Sequence, residues 1–441
     1  MGTRFGTDGI RGVVGSDVTV DLALGLGRAV AHRFGSPAAS ILIGRDTRRS
    51  GEVLSAALSA GITATGVDVM DLGVVTTPCL VHASDEAASP AIMVSASHNP
   101  PPDNGLKVIV AGRKAGPAEE DELEALLDDG TAIPHRRNAE LGRSRPDRGA
   151  VAAYERHLAG IAGDAFDGLR IGVDCANGSA STLAPELFRS LGAEVTVLFD
   201  APDGTNINLG CGSTHPERLA ETVAAAGLDL GLAFDGDADR LIAVDERGGL
   251  VDGDAVMGIC ALARLAEGTL RNSLLVVTVM SNGGLERAVR AAGGTMVRTP
   301  VGDRHVFEAM ERDDAVLGGE QSGHIIFRDR ATTGDGILTG IELVRAMSAA
   351  AQPLSELAAR IPRLPQVVIN SVVARRDDWQ TDPELSGAIE RATAAMGDRG
   401  RILVRPSGTE PKIRIMVEGD DATEIEHIAR ELAALAEAQL N

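Results

Sequence analysis

One order of elements is written three times along this 441-residue chain, and that repetition constrains the fold more than any other feature. A strand-like run, a helical stretch, a second strand, a second helix and a third strand follow one another. The first copy reads SILIGRD (40–46), a helix near 51–64, VDVMDL (67–72), a helix near 77–87 and AIMVSA (91–96). The second reads LRIGVD (169–174), a helix near 180–191, EVTVLF (194–199), a helix near 216–226 and LDLGLAF (228–234). The third reads LLVVTVM (274–280), a helix near 283–292, TMVRT (295–299), a helix near 303–312 and AVLGG (315–319). Strands alternating with helices predict α/β layers with largely parallel sheets. Each third strand then empties into an unusual polar loop: SASHNP, DGDADR or GEQSGH. Open α/β sheets bind ligands at the carboxyl ends of their strands. Three polar loops in matching places therefore point to duplication and to a ligand site.

The residues from 366 onward depart from this scheme. VVINSVVA (367–374), a helix near 383–396, RILVRPS (401–407), KIRIMVEG (412–419) and an amphipathic helix from about 422 predict a smaller α+β domain. RIPRLPQ (360–366), with two prolines, reads as its linker. The stretch 128–149 reads as an irregular crossing between the first two units. The expectation is three related mixed-sheet α/β domains, at 1–150, 151–252 and 253–365, plus a C-terminal α+β domain at 366–441. A chain this long exceeds one comfortable core, so several domains are the natural outcome.

A net charge of −21 argues against a general nucleic-acid binder or a protein that lies on an anionic membrane. Cys79, Cys175, Cys211 and Cys260 form no CxxC pair, which suggests reduced thiols and a cytoplasmic setting. MGTRFGTDGIRG lacks the apolar core of a signal peptide. Of 42 basic residues only Lys107, Lys114 and Lys412 are lysines, so a lysine inside a motif stands out.

FDGDADR offers Asp235, Asp237 and Asp239 at every second position after a buried run. Carboxylates packed this tightly repel one another unless a cation sits among them, and a few hard oxygen ligands indicate Mg²⁺, with a solvated acidic turn as the alternative reading of the run alone. An EF-hand is excluded because Arg240 replaces the glycine that loop needs and LIAVD (241–245) reads as strand. VRPSGTEPKIR (404–414) gathers Arg405, Ser407, Gly408, Thr409, Lys412 and Arg414 around a glycine turn, a chemistry suited to a phosphate dianion. Glu320, Ser322 and His324 in GGEQSGH offer donors and acceptors suited to neighbouring sugar hydroxyls, a signal that a polar turn explains equally well. In MVSASHNPPPDNGLKV (93–108) Ser97 faces the same mouth as the aspartates, and the prolines after it restrict the loop. No G-x-S-x-G elbow surrounds Ser97, so it reads as a phosphate carrier and not as an acyl nucleophile. His98 suits a structural hydrogen bond better than proton transfer.

These four loops, in this order, resemble the α-D-phosphohexomutase family, and the likeness runs from FGTDGIRG (5–12) to RPSGTEPKIR (405–414). FGTDGIRG, VDCANGSAS (173–181), GTNINLGCGSTHPE (204–217), VGDRHV (301–306) and Gln321 are similar to a bacterial branch that handles amino-sugar phosphates. The resemblance implies four domains around one central cleft, the fourth being mobile. It implies that Ser97 carries a phosphoryl group and joins Asp235, Asp237 and Asp239 in holding one Mg²⁺ ion. By the same likeness Glu320 and Ser322 contact the sugar, and Arg405, Ser407, Gly408, Thr409 and Arg414 bind the phosphate. Arg11, Lys107, Arg240 and His324, with His98 beside Ser97, surround the reacting phosphate. Lys107 is the implied proton-transfer group, for which clustered arginines would have to depress its pKa.

The implied activity interconverts glucosamine 6-phosphate and glucosamine 1-phosphate through a phosphoserine enzyme and a bisphosphorylated intermediate. Glucosamine 1,6-bisphosphate or a similar compound would be the primer, and the product would supply the precursor of UDP-N-acetylglucosamine. A mannose or glucose phosphate mutase of the same mechanism, and a non-catalytic sugar-phosphate-binding protein, are the alternatives. The implied partner is a small sugar phosphate, with a homodimer as the common assembly and neither nucleic acid nor membrane involved. The likeness breaks before VGDR, where Thr299 and Pro300 stand in place of a basic residue. Arg298 or Arg304 would have to supply that charge.

Overall fold

The computed structural model describes residues 4–6, 8–36, 39–129, 133, 136–147, 149–406 and 411–441. Three sheets share one topology. In the first, Ala91–Val94, Ile41–Arg45 and Val69–Val74 run parallel in that order, and Asp103–Val110 returns antiparallel beside Ala91–Val94. In the second, Leu230–Phe234, Arg170–Asp174 and Glu194–Leu198 repeat the order, with Leu241–Asp245 as the return strand. In the third, Leu317–Gly319, Leu274–Thr278 and Thr295–Thr299 do so again, with Ile325–Phe327 returning. Identical strand order in three sheets is what duplication predicts.

The sheets are mixed, as expected. Each polar loop reverses the chain directly into an antiparallel neighbour, across 95–102, 235–240 and 320–324. A parallel return needs a crossover of about a dozen residues or more, which these loops lack. The first sheet also gains Ile10–Val13, antiparallel to Asp103–Val110, with Arg11 opposite Gly105. That pairing brings the FGTDGIRG segment alongside the strand that carries Lys107. The stretch read as an irregular crossing holds a short edge strand, Ser144–Pro146, parallel to Val69–Asp71.

One hydrophobic cluster runs through the first three units, including Leu80, Tyr154, Phe234 and Leu338. A second fills the other face of the first sheet, around Leu26, Leu58 and Ile92. The three-stranded C-terminal sheet has its own core, built on Ile415, Val417 and Leu432. It meets the third unit across a polar seam: Arg401 donates to the carbonyls of Val279 and Ser281 at 2.7 and 2.6 Å, and Glu418 accepts from the Gly283 N–H at 2.7 Å. The four cysteines are buried and unpaired. Among the described residues no helix is long and apolar enough to cross a membrane.

Candidate active site

The strand Ala91–Val94 delivers Ser97 to the junction of the first two units, where it is fully buried. Its Oγ donates to Asp235 Oδ2 at 2.5 Å, a bond between residues 138 apart in sequence. Ser97 has φ +51°, a left-handed conformation that residues other than glycine seldom adopt. The prolines alone do not fix it. The Ser97 carbonyl accepts from Asn208 Nδ2 at 2.8 Å and from the Arg48 guanidinium at 3.0 Å. His98 Nδ1 stands 3.3 Å from Ser97 Oγ. Burial, with Arg240 and Arg11 adding to it, pushes the His98 pKa down to about 4, so the imidazole is neutral at physiological pH.

Asp235, Asp237 and Asp239 are buried, and each turns one oxygen into a group within 4.8 Å. Asp237 Oδ1 and Asp239 Oδ1 are buried with no hydrogen-bond partner among the described residues. Carboxylate oxygens stripped of water are costly unless something positive meets them. The donor set therefore fits a hard divalent cation. Burial, then Asp239 and Asp237, holds the Asp235 carboxyl well above the usual range. Thr77, at the start of the helix Thr77–Glu86, donates to Asp237 Oδ2 at 2.6 Å and pins the aspartate loop to the first unit.

Lys107 Nζ lies 2.7 Å from Asp237, 3.2 Å from Asp8 and 3.5 Å from Asp239. Burial opposes its charge, but these three carboxylates outweigh burial and raise its pKa above the ordinary lysine value. This reverses the expectation of a depressed pKa. The expectation rested on clustered arginines, whereas the fold sets three acids against Lys107.

Asp8 ties the N-terminal segment into the same group, pairing with Arg11 and, at 2.5 Å, with Lys114. Lys114 also pairs with Asp303 of VGDR. His324 is buried, with Nδ1 3.6 Å from Asp239 and Nε2 3.6 Å from Asp303. The Gly334 N–H stands 3.1 Å from His324 Nε2, and although burial opposes its charge, Asp239 and Asp303 raise the imidazole pKa. Arg240 gives its backbone N–H to Asp235 Oδ1 at 3.2 Å and holds its guanidinium 3.8 Å from Asp239. Asp8, Lys114, Asp303 and Thr77 are absent from the motif-based set. Asp8 and Asp303 sit inside quoted motifs, and Lys114 is one of three lysines, so a weak signal existed for each.

These side chains border a cavity of about 560 Å³ lined by Asp8, Arg11, His98, Asp239, Arg240, Glu320 and His324, among others. Glu320 Oε1 accepts from the Gly302 N–H at 3.1 Å. Ser322 is exposed and stands outside that lining. Arg405 and Arg414 also stand outside it, directly opposite each other on two strands of the C-terminal sheet. Burial and the facing Arg414 lower the Arg405 pKa. Arg414 Nε is buried with no hydrogen-bond partner among the described residues, which suits an incoming anion. Ser407, Gly408 and Thr409 lie outside the described residues. The two arginines expected to replace a base before VGDR are engaged elsewhere. Arg298 donates to the Ser281 carbonyl at 2.6 Å and pairs with Glu286, and Arg304 pairs with Glu120 at 2.6 Å.

Comparison with known proteins agrees with this layout. Models of the phosphoglucomutase/phosphomannomutase family match in chain order: alpha/beta/alpha domain I over 2–133, domain II over 152–249, domain III over 252–364 and the C-terminal domain over 368–435. A phosphoglucosamine mutase of Symbiobacterium thermophilum is 51% identical over 448 residues, covering 100% of both chains. A crystal structure of a phosphoglucomutase/phosphomannomutase family protein from Burkholderia thailandensis superposes with a TM-score of 0.85 at 28% identity, covering 100% of this chain and 99% of that one. Aspergillus fumigatus N-acetylphosphoglucosamine mutase, solved in complex with GlcNAc-6P and magnesium, shares the fold at a TM-score of 0.65 and 21% identity, over 90% of this chain and 83% of its own.

Proposed function

The chain belongs to the phosphoglucomutase/phosphomannomutase family, and on that premise we propose how it works as a mutase that interconverts glucosamine 6-phosphate and glucosamine 1-phosphate. One observation carries the reading: the Ser97 hydroxyl lies 2.5 Å from Asp235, at the edge of a buried carboxylate triad. Ser97 Oγ carries the phosphoryl group. The free hydroxyl oxygen of the bound sugar phosphate attacks phosphorus, and the new O–P bond forms as the Ser97 Oγ–P bond breaks. The sugar hydroxyl gives up its proton, and Ser97 Oγ regains one. The bisphosphate then turns over in the cleft and returns its other phosphoryl group to Ser97.

Asp235, Asp237, Asp239 and the Ser97 phosphate would hold Mg²⁺, which when bound neutralises charge on the transferring group. Lys107, against Asp237, Asp8 and Asp239, places its ammonium beside that centre and stabilises the transferring group. Arg11, Arg240 and neutral His98 line the cavity. Glu320 and His324 face the sugar from the third unit. Arg405 and Arg414, with Ser407, Gly408 and Thr409 between them in sequence, hold the phosphate that is not reacting. The nearest alternative is a mannose or glucose phosphate mutase of identical chemistry. Identity of 51% along the whole length of a phosphoglucosamine mutase favours the amino sugar.

The test is a coupled assay on glucosamine 6-phosphate, with and without Mg²⁺ and a hexose bisphosphate primer, beside mannose and glucose phosphates. Turnover fastest on the glucosamine phosphates, and dependent on Mg²⁺, is expected. Turnover confined to mannose or glucose phosphates would replace the substrate assignment, and no turnover with any of them would refute the enzyme.

A further inference from the structure

The geometry points to Arg48 as the positioning residue of the serine loop: its guanidinium grips the backbone of residues 97–103 and so aims Ser97 Oγ at the carboxylate triad. This rests on Ser97 being the phosphoryl carrier. Arg48 follows the strand Ile41–Arg45 and is 2% exposed. A guanidinium has five N–H donors, and here each one has an acceptor. Nε donates to Asp46 Oδ2 at 2.9 Å. Nη1 donates to the carbonyls of Pro100 and Asp103 at 2.5 and 2.9 Å. Nη2 donates to the carbonyls of Ser97 and Asn99 at 3.0 and 2.7 Å. Four inward-pointing carbonyls of one loop thus close around a single planar group.

The remaining contacts complete the grip. Asp46 balances the Arg48 charge, and both side chains are fully buried. Asp46 Oδ2 also accepts from Ser95 Oγ at 2.7 Å, and Ser95 Oγ accepts from the Ser97 N–H at 3.0 Å. Ser97 is therefore held at its N–H through Asp46 and at its carbonyl through Arg48. That double hold accounts for a serine resting at φ +51°, where few side-chain-bearing residues settle. From the second unit, Asn208 Nδ2 reaches the carbonyls of Ser97 and Asn99 at 2.8 and 3.1 Å. A Cβ on Gly236 would stand 2.6 Å from the Ser97 carbonyl, so the metal loop packs against the same gripped peptide. Arg48 contacts none of the reacting atoms; it acts through the loop.

Arg48→Lys tests this, because lysine keeps the charge opposite Asp46 but offers three donors from one atom in place of a planar set of five. On glucosamine 6-phosphate, kcat should fall by about tenfold to a hundredfold, the scale of a small misplacement of a reacting group. KM should stay within about twofold, since the groups assigned to grip the sugar phosphate lie on other loops. Independently of turnover, amide hydrogen exchange in peptides spanning 95–104 should quicken by about tenfold while the strand Leu230–Phe234 is unchanged. Arg48→Met combined with Asp46→Asn, which leaves no buried lone charge, should give the same pattern. Parental kcat, unchanged exchange at 95–104, or a uniform rise in exchange with kcat and KM shifting together would each overturn the positioning role. If the parent enzyme fails on glucosamine phosphates, the functional reading falls, and the exchange measurement still decides the clamp.

Discussion

Asp235→Asn should stabilise the metal-free protein while weakening its response to Mg²⁺. The ligand atoms of the three aspartates lie within 4.8 Å of one another. At that separation two unit charges in an effective dielectric of about 20 repel by about 3.5 kcal/mol. Lys107 answers Asp237 and Asp239, at 2.7 and 3.5 Å. Asp235 receives the Ser97 hydroxyl and the Arg240 backbone N–H instead. Asparagine preserves both contacts: its oxygen accepts from Arg240 and its amide donates to Ser97 Oγ. Burial and the two neighbours already hold the Asp235 carboxyl above its usual range, so replacing it with a neutral amide should gain about 1–3 kcal/mol in chelator, a fraction of the pairwise repulsion once packing and the altered hydrogen bond are counted. In the parent, Mg²⁺ at about 100 times its Kd adds about 2.7 kcal/mol. Losing one anionic ligand should cut that gain by more than half at the same concentration. The assay is thermal and chemical unfolding at neutral pH in chelator, followed by Mg²⁺ titration. A variant less stable than the parent in chelator, or equally responsive to Mg²⁺, would refute the picture of a strained cluster built for a cation.

Ser97→Ala should abolish turnover while sugar-phosphate binding and the unfolding midpoint stay near parental values; measurable mutase activity in that variant would exclude Ser97 as carrier. Arg414→Ala should raise KM by about tenfold or more, since a charge-assisted phosphate contact is worth about 1.5–3 kcal/mol; steady-state kinetics with an unchanged KM would remove it from the site. Asp254 gives a pH test away from the cleft. Its Oδ2 accepts from the Asn282 N–H at 2.8 Å, and burial lifts its pKa from 3.8 to about 6. A raised carboxyl favours the folded state when protonated, so its contribution is full below pH 3.8 and is lost as pH rises through about 6. Asp254→Asn should match the parent in acid and exceed it by up to about 3 kcal/mol above that window, at 1.36 kcal/mol per pKa unit. Denaturant unfolding across that range, with the two curves parallel, would contradict this.

The repeat, the polar loop at the end of each third strand, and the DxDxD run were all legible in the sequence, because strand periodicity and turn chemistry are local properties of a few neighbouring residues. Ser97 and its aspartates could be matched for the same reason: each stands immediately after an apolar run that has to be buried. What the tertiary structure alone decided are the partners. The chain shows Lys107 in a strand but not the carboxylates of Asp8, Asp237 and Asp239 that close on it, and those acids raise a pKa that clustered arginines were expected to depress. Arg48 reads as one more arginine in GRDTRRS until the fold wraps four carbonyls around it. Charge state and hydrogen bonding depend on whatever lies within a few ångströms, and sequence separation says little about which groups those will be.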